Sequence, residues 1–369
     1  MRNILVTGSN GFIGKNLIEG LLQLPDAAVL SCSRSTSSEE LQQQLSKADV
    51  IYHLAGINRP ERPEDYRGNV ELMQRIIDGL NAMTNRPRII FASTIHAAAD
   101  NPYGRSKKEA EDLLIQYAKE TSTAIHICRL PNLFGKWCKP EYNSVVATFC
   151  HHISRDLEIS ISNPDQQVEL AYIDHVIERF MALLAQDEPT EDVYCNIETT
   201  FSVTLKALAD QIYDFKAIRT HSILPNLSDP FTKYLYSTYL SYLDRSDFAY
   251  ALQTFHDHRG SLFETVKSPY AGQLFVSTTV KGVERGHHYH NTKVEKFCVI
   301  KGKAVVKFRH IFEQDSFSYT LSDEKIMILD IPPGYTHAIE NVTDGELIVL
   351  FWANEIFDGN KPDTYGSKV

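Results

Sequence analysis

Three imidazoles and a carboxylate recur within a short span near one end of the chain: His288 and His290 in G-H-H-Y-H, Glu295 in T-K-V-E, and His337 closing P-P-G-Y-T-H. Nitrogen and oxygen donors in this mixture suit a borderline divalent ion such as Zn²⁺, and three or four protein ligands leave a position for water or a substrate oxygen. The set reads as a Lewis acid more than as a structural clasp. A different chemistry opens the chain. Gly8, Gly11 and Gly14 in V-T-G-S-N-G-F-I-G follow a strand and precede a helix, a spacing that permits a tight turn, close approach of backbone to phosphate, and close helix packing. Phe12 and Ile13 start that helix, whose N-terminus would face a pyrophosphate. The end of the second strand, S-C-S-R-S, offers Arg34 where an NAD enzyme carries a carboxylate, so NADPH with its 2′-phosphate is the expected cofactor. Tyr103 and Lys107 in P-Y-G-R-S-K stand one helical turn apart, which puts phenol and ammonium on one face, where the lysine can lower the tyrosine's pKa. A tyrosine so placed can protonate a carbonyl oxygen as hydride reaches the carbon, and Thr94 in F-A-S-T can hydrogen-bond the same oxygen.

These residues call for two scaffolds. Strand I-L-V-T, helix N-L-I-E-G-L-L, strand A-V-L-S-C-S, helix E-E-L-Q-Q-Q-L and strand V-I-Y-H-L-A-G alternate as βαβ units do, and R-I-I-F-A-S and A-I-H-I-C-R-L continue the rhythm around a helix starting near Tyr103. The pattern predicts an α/β, Rossmann-like doubly wound parallel sheet. Beyond it, V-T-L-K-A-L-A-D-Q-I-Y-D-F reads as helix, and the aromatic run Y-L-Y-S-T-Y-L-S-Y-L suggests a smaller lobe over the sheet that holds substrate. From about residue 250 short strands rich in Val, Phe and Ile, punctuated by Gly, Pro and Asp, predict an all-β barrel. The change of period sets the expected domains at 1–247, nucleotide-binding with its substrate lobe, and 248–369, metal-binding.

At 369 residues the chain exceeds a usual single core. Its net charge of -10, spread along the chain, makes nucleic acid and anionic membranes poor partners. Six cysteines without a C-x-x-C pair predict free thiols and a cytoplasmic location. No run of about 18 apolar residues is present to span a bilayer, and M-R-N-I-L-V-T-G already reads as strand, so no signal peptide is expected.

The glycine fingerprint, H-L-A-G (His53 to Gly56), Asn69 in G-N-V, Thr94, Tyr103 and Lys107 occur in an order that resembles the extended short-chain dehydrogenases/reductases acting on nucleotide sugars, over residues 1–245. The resemblance implies Thr94, Tyr103 and Lys107 as catalytic, Leu54, Ala55 and Gly56 as lining the cofactor, and Asn132 of P-N-L-F-G as near the substrate. Sugar 4,6-dehydratases of that family follow the Ser/Thr with an Asp-Glu pair; here Ile95 and His96 follow Thr94, which favours redox at a ring carbon over loss of water. Gly286 to Gly302, and P-P-G-Y-T-H with Asn341 beyond, resemble the two cupin motifs. D-H-R-G-S-L-F-E, Asp257 to Glu264, is similar to a run in cupins that epimerise 4-keto deoxysugar nucleotides, with one extra residue between Gly260 and Phe263. It implies that Arg259 and Glu264 contact the nucleotide part of the substrate.

A reductase joined to such a cupin resembles the bifunctional capsular polysaccharide enzymes of the UDP-N-acetyl-L-fucosamine pathway. R-L-P-N-L-F-G-K-W-C-K-P, Y-N-S-V-V-A-T-F-C and K-P-D-T-Y extend the likeness across nearly the whole chain. That likeness implies a homodimer acting on a UDP-sugar. It further implies that the cupin inverts carbon 3 of a UDP-2-acetamido-2,6-dideoxy-4-hexulose and that the N-terminal domain reduces carbon 4 with NADPH to UDP-2-acetamido-2,6-dideoxy-L-talose. The chemistry is consistent, because a cation on a carbon 4 carbonyl acidifies the neighbouring C–H. Two other readings compete: a reductase with a purely structural cupin, and a sensor that binds NADPH without turnover.

Overall fold

The computed structural model describes residues 1–186, 192–221, 223–252, 255–257, 260–262, 272–355 and 358–369. Arg259 and Glu264 lie outside the described residues. The chain divides into two compact units, Met1–Val145 with Gln167–Val203, and Val146–Gln166 with Thr204–Val369.

In the first unit β1 (Arg2–Thr7), α1 (Phe12–Leu21), β2 (Ala27–Cys32), α2 (Ser38–Lys47), β3 (Val50–His53), α3 (Gly68–Asn81), β4 (Arg88–Thr94), α4 (Pro102–Thr121) and β5 (Ile125–Leu130) alternate. They are followed by β6 (Asn132–Phe134), α5 (Val145–Ser154), β7 (Gln167–Tyr172), α6 (Ile173–Leu184), β8 (Tyr194–Cys195) and β9 (Phe201–Thr204). Six strands form a parallel sheet in the order β2-β1-β3-β4-β5-β8, and β6, β7 and β9 form a small second sheet. Helices cover both faces of the large sheet, which explains why its strands are apolar runs and why β4 is buried throughout. Leu5, Ile51, Ile89, Phe91 and Ile127 point to a core shared with Leu41, Met73, Ile76 and Leu114 of α2, α3 and α4. The neighbouring position on β3 faces the other way: the Tyr52 ring packs 5.6 Å from Phe180 of α6, and its hydroxyl donates to the Phe180 carbonyl at 2.7 Å. Local chemistry sets the helix starts. Ser37 and Glu40 form a reciprocal capping box for α2, while Asn101 Oδ1 accepts from Gly104 N at 2.8 Å with Pro102 opening α4.

The strand order reverses at β1, which pairs with β2 on one side and β3 on the other. In open parallel sheets ligands bind at the carboxyl ends of the strands beside such a switch point. The turns after β1 and β3 flank that point.

Cys128 and Cys195 correct the expectation of six free thiols. They stand opposite each other in the register of β5 and β8 and are joined as a disulfide, while Cys32, Cys138, Cys150 and Cys298 remain thiols. A sequence separation of 67 hides this pairing from the sequence; adjacency in the sheet creates it.

The second unit holds α5, α7 (Leu205–His221), α8 (Pro230–Leu240), β10 (Ala249–Ala251), β11 (Phe255–Asp257), β12 (Gly260–Leu262), β13 (Gln273–Thr279), β14 (Glu284–Tyr289), β15 (Glu295–Lys301) and β16 (Lys303–His310). It continues through β17 (Ser316–Ser322), β18 (Met327–Ile331), β19 (Tyr335–Asn341), β20 (Leu347–Ala353) and β21 (Tyr365–Gly366). Beyond the β11–β12 pair these make two five-stranded antiparallel sheets, β10-β18-β15-β20-β13 and β17-β16-β19-β14-β21, and no pairing among the described residues closes them into a barrel. Gly302, at φ +91°, breaks the long Val/Phe/Ile run into β15 and β16.

Two expectations for the middle of the chain change. Val203 and Thr204 end β9 instead of opening the helix. The aromatic run forms α8, whose Phe231, Leu235, Tyr236 and Tyr239 are buried, with Tyr236 and Tyr239 against Phe215 of α7 at 5.2 and 6.1 Å. These rings build core. They belong with the strands because the buried Asp330 carboxylate on β18 binds both Arg219 of α7, at 3.0 Å, and Lys296 of β15, at 2.5 Å. A buried carboxylate left without its cations would be strongly destabilising, so these two ion pairs tie α7 to the strands.

Candidate active sites

The turn after β1 is packed so closely that side chains would not fit. A Cβ at Gly8, where φ is +70°, would lie 2.8 Å from Ala55 N, and one at Gly14 would lie 2.3 Å from Gly8 O. The loop after β3 is therefore in backbone contact with this turn. Thr7 Oγ1 ties them further, accepting from Ala55 N at 3.2 Å and hydrogen-bonding His53 Nδ1 at 2.8 Å. Helix α1 begins after Gly11 with no side-chain cap and no acidic residue in its first turn, which contains Phe12, Ile13 and Gly14. Its first amides and its dipole are thus left to an anion. Arg34 lies exposed in the turn that follows β2, next to β1 in the sheet. These groups fit a dinucleotide with a 2′-phosphate. Arg34→Asp should shift the ratio of kcat/KM for NADPH over NADH towards or below one; an unchanged ratio would remove Arg34 from cofactor choice.

Thr94, Tyr103 and Lys107 come together at the carboxyl end of β4. The first turn of α4 approaches the preceding segment so closely that a Cβ at Gly104 would meet His96 O at 2.3 Å and Ala99 O at 2.5 Å. That approach brings Tyr103 beside Thr94, whose side chain acts on the phenol's pKa. The Tyr103 hydroxyl also donates to Asn58 Oδ1 at 3.3 Å, and its ring packs 5.6 Å from Tyr66. Asn58 and Tyr66 were not legible as site residues, because their place depends on the path of the loop after β3. Burial raises the Tyr103 pKa, with the Thr94 hydrogen bond opposing, so the phenol stays protonated, as an acid must.

The expected lowering by Lys107 is not what the structure has. The ammonium donates to Ala92 O at 2.8 Å and lies 4.2 Å over the Phe91 ring, directed at the strand and not at the phenol. Burial brings Lys107 itself down to about 7, opposed by the nearby Glu111 carboxylate. A Cβ at Gly56 would stand 3.9 Å from Lys107 Nζ, so Leu54, Ala55 and Gly56 border the same cluster. Asn69 pins that loop: Oδ1 accepts from Ile57 N at 2.7 Å, and Nδ2 donates to Ile57 O at 3.1 Å and to Ser106 Oγ of α4 at 3.0 Å. Asn132 is exposed on β6, in the small sheet, and no hydrogen bond among the described residues links it to the cluster.

Glu111 anchors this helix from below. Fully buried, it accepts from Ser93 Oγ at 2.5 Å and from Arg129 Nε and Nη2 at 3.0 and 2.5 Å. Glu111→Ala should lower unfolding free energy by about 3–5 kcal/mol, because it strands a mostly buried guanidinium; a loss below about 1 kcal/mol in denaturant titration would contradict this.

In the second unit His288, His290, Glu295 and His337 offer ligand atoms that all lie within 4.8 Å of one another. A bulge achieves this. Gly286 and His287 adopt φ of +108° and +55°, and the register with β19 shifts between Gly286 and His288, so that His288 pairs directly with His337. His288 and His290, two residues apart, then share a face with His337. His290 Nδ1 donates to Asp363 O at 2.6 Å and His337 Nδ1 to Tyr335 O at 3.3 Å. A carbonyl only accepts, so each ring carries its proton on Nδ1 and presents a bare Nε2. Those Nε2 atoms face Glu295 Oε2 from 3.4 and 3.7 Å, both buried and without a well-formed hydrogen bond. Buried bare nitrogens around a carboxylate are what a cation resolves. Burial lowers His288, and lowers His337 to about 3; although its own burial opposes this, Glu295 is held at about 2 by His290 and His337. Neutral imidazoles and an ionised carboxylate are the states that bind metal.

Known proteins resemble this arrangement over its full length. Residues 4–197 match the NAD dependent epimerase/dehydratase family, and residues 255–365 match the polysaccharide biosynthesis C-terminal domain. A UDP-2-acetamido-2,6-beta-L-arabino-hexul-4-ose reductase of Pseudomonas aeruginosa is 39% identical over 99% of this chain and 98% of its own. The crystal structure of the capsular polysaccharide assembling protein CapF from Staphylococcus aureus superposes with a TM-score of 0.68 at 42% identity, covering 100% of both chains. UDP-glucuronic acid 4-epimerase from Bacillus cereus, in complex with NAD, is 20% identical with a TM-score of 0.53 over 58% of this chain and 83% of its own, a likeness of fold alone. The chain is a full-length homologue of CapF and of the Pseudomonas reductase, and it belongs to the NAD dependent epimerase/dehydratase family.

Proposed function

We propose that the first unit is an NADPH-dependent reductase of a UDP-linked 4-keto sugar and that the strands of the second form a metal-dependent cupin epimerase acting on the same sugar. The substrate is a UDP-2-acetamido-2,6-dideoxy-4-hexulose. Inversion at carbon 3 and reduction at carbon 4 give UDP-2-acetamido-2,6-dideoxy-L-talose, towards UDP-N-acetyl-L-fucosamine for a surface polysaccharide. The name of the Pseudomonas relative supports the substrate class, and that of CapF supports a role in capsular polysaccharide assembly. The convergence of Thr94, Tyr103 and Lys107 beside the β1 and β3 turns carries the reductase reading.

When bound, NADPH supplies hydride and a divalent ion such as Zn²⁺ supplies Lewis acidity towards a ketone oxygen. Tyr103 donates its proton to the oxygen on carbon 4, and Thr94 holds that oxygen in line. Lys107, which burial brings down to about 7 against the opposing pull of Glu111, stands beside Gly56 where the cofactor runs. In the second unit His288, His290, Glu295 and His337 hold the ion, and the ketone makes the carbon 3 hydrogen exchangeable. Asn132 serves the reductase substrate, and Arg259 and Glu264 the nucleotide of the epimerase substrate. The functional modules are 1–247 and 248–369, the protein works as a homodimer, and the setting is the cytoplasm, where nucleotide sugars and NADPH are available. The bare, buried Nε2 atoms support an ion in the cupin, and the loss or survival of carbon 3 exchange on chelation separates an epimerase from a structural module with a spectator metal. Stoichiometric NADPH oxidation with the 4-keto sugar, and none with UDP-sugars lacking the ketone, is the test; oxidation by neither would refute the reductase.

A further inference from the structure

We propose that Asp363 is a positioning residue of the metal centre: it anchors Pro362–Ser367 as a strap across the turn between His290 and Glu295, and its carbonyl fixes the tautomer and aim of His290. This rests on reading the four-residue cluster as a metal site. The Asp363 carboxylate accepts from three consecutive backbone amides, Asn291 N at 2.9 Å through Oδ1, and Thr292 N at 2.9 Å and Lys293 N at 2.6 Å through Oδ2. Thr292 Oγ1 adds a fourth bond at 3.0 Å. These amides belong to the turn that joins two ligand-bearing strands, so the carboxylate sets where His290 stands relative to Glu295.

The strap is fastened on both sides of Asp363. Lys293, buried, donates through Nζ to Pro362 O at 2.7 Å and Thr364 Oγ1 at 3.1 Å. Strand β21 then pairs with β14, Gly366 opposite His288 and Tyr365 opposite Tyr289, with those tyrosine rings stacked at 5.4 Å. Ser367 N closes the strap on His287 O at 2.8 Å. Asp363 itself adopts φ +40°, a conformation that costs energy for a side-chain-bearing residue and persists where surrounding bonds over-determine it. That backbone turn aims Asp363 O at His290 Nδ1, 2.6 Å away. Since the carbonyl can only accept, the bond keeps the proton on Nδ1 and leaves Nε2 bare towards Glu295. A histidine so held binds metal without first choosing a tautomer or a ring orientation.

The test compares the full-length unmodified protein with Asp363→Ala and Asp363→Asn, in two readouts. Competition with a chromogenic chelator for Zn²⁺ should show affinity weakened ~10–100-fold in Asp363→Ala and by less in Asp363→Asn, which keeps one acceptor. Side-chain ¹⁵N NMR of the metal-free proteins should show His290 protonated on Nδ1 in the unmodified protein and as mixed tautomers in Asp363→Ala. Unchanged affinity, or weakened affinity with His290 still in its original tautomer, overturns the proposal. If Asp363→Ala does not fold, Asp363→Asn decides by the same criteria. Should the unmodified protein bind no Zn²⁺, the metal reading fails, and the tautomer comparison in metal-free protein still decides whether Asp363 positions His290.

Discussion

Tyr103→Phe is expected to slow reduction of the 4-keto sugar by ~10²–10⁴-fold while hydrogen exchange at carbon 3 continues at the unmodified rate. The substitution removes one oxygen and keeps the ring that packs against Tyr66. It costs the hydrogen bond to Asn58, about 1 kcal/mol in stability, so the fold survives. What disappears is the protonated phenol that burial maintains at the end of β4. The second unit has its own polar cluster, built from β14, β15 and β19, and Tyr103 has no part in it. Mass spectrometry of the substrate recovered from deuterated water, beside NADPH absorbance, separates the two activities. Loss of both together would refute independent sites.

His337→Ala is expected to do the opposite. The protein should carry about one divalent ion per chain when unmodified and far less in the variant, with exchange at carbon 3 down about 10²–10³-fold and reduction of an already epimerised ketone intact. His337 is a buried member of the cluster that pairs with His288 across β14 and β19, and its ring lies 4.7 Å from that of His288. Chelation of the unmodified protein should copy the variant and lower the melting temperature, because an ion shared by three strands binds only the folded state. The assay therefore belongs at a temperature where metal-free protein is still folded by circular dichroism. Exchange at full rate in folded, metal-free protein would return the ion to a structural part.

Much of both sites was legible because their chemistry lies in short runs. The glycine spacing of V-T-G-S-N-G-F-I-G, the one-turn separation of Tyr103 and Lys107, and the His-x-His of β14 are local patterns, and local geometry realises them. The bulge that puts His288 opposite His337 could also be suspected, since Gly286 precedes the histidines. Features that depend on distant partners stayed hidden. Asn58 reaches Tyr103 across 45 residues, and Asp363 reaches Asn291 across 72. K-P-D-T-Y could be noticed as a likeness, but nothing in its composition says that its aspartate grips a turn. The lysine was read for its distance in sequence from the tyrosine, whereas the carbonyl of Ala92 decides where its ammonium points. Likewise the aromatic run of α8 suggested a substrate-holding lobe, and packing on Phe215 takes its Tyr236 and Tyr239 into core.

Both sites are interrogated at once when the unmodified protein is incubated with the UDP-2-acetamido-2,6-dideoxy-4-hexulose and NADPH in deuterated water and the product is read by NMR. Two sites acting in turn on one sugar yield the talo product with deuterium at carbon 3, ordinary hydrogen at carbon 4 delivered from NADPH, and one NADPH oxidised per product. A reduced product with no deuterium at carbon 3, its configuration there unchanged, would contradict the second activity and leave a reductase alone.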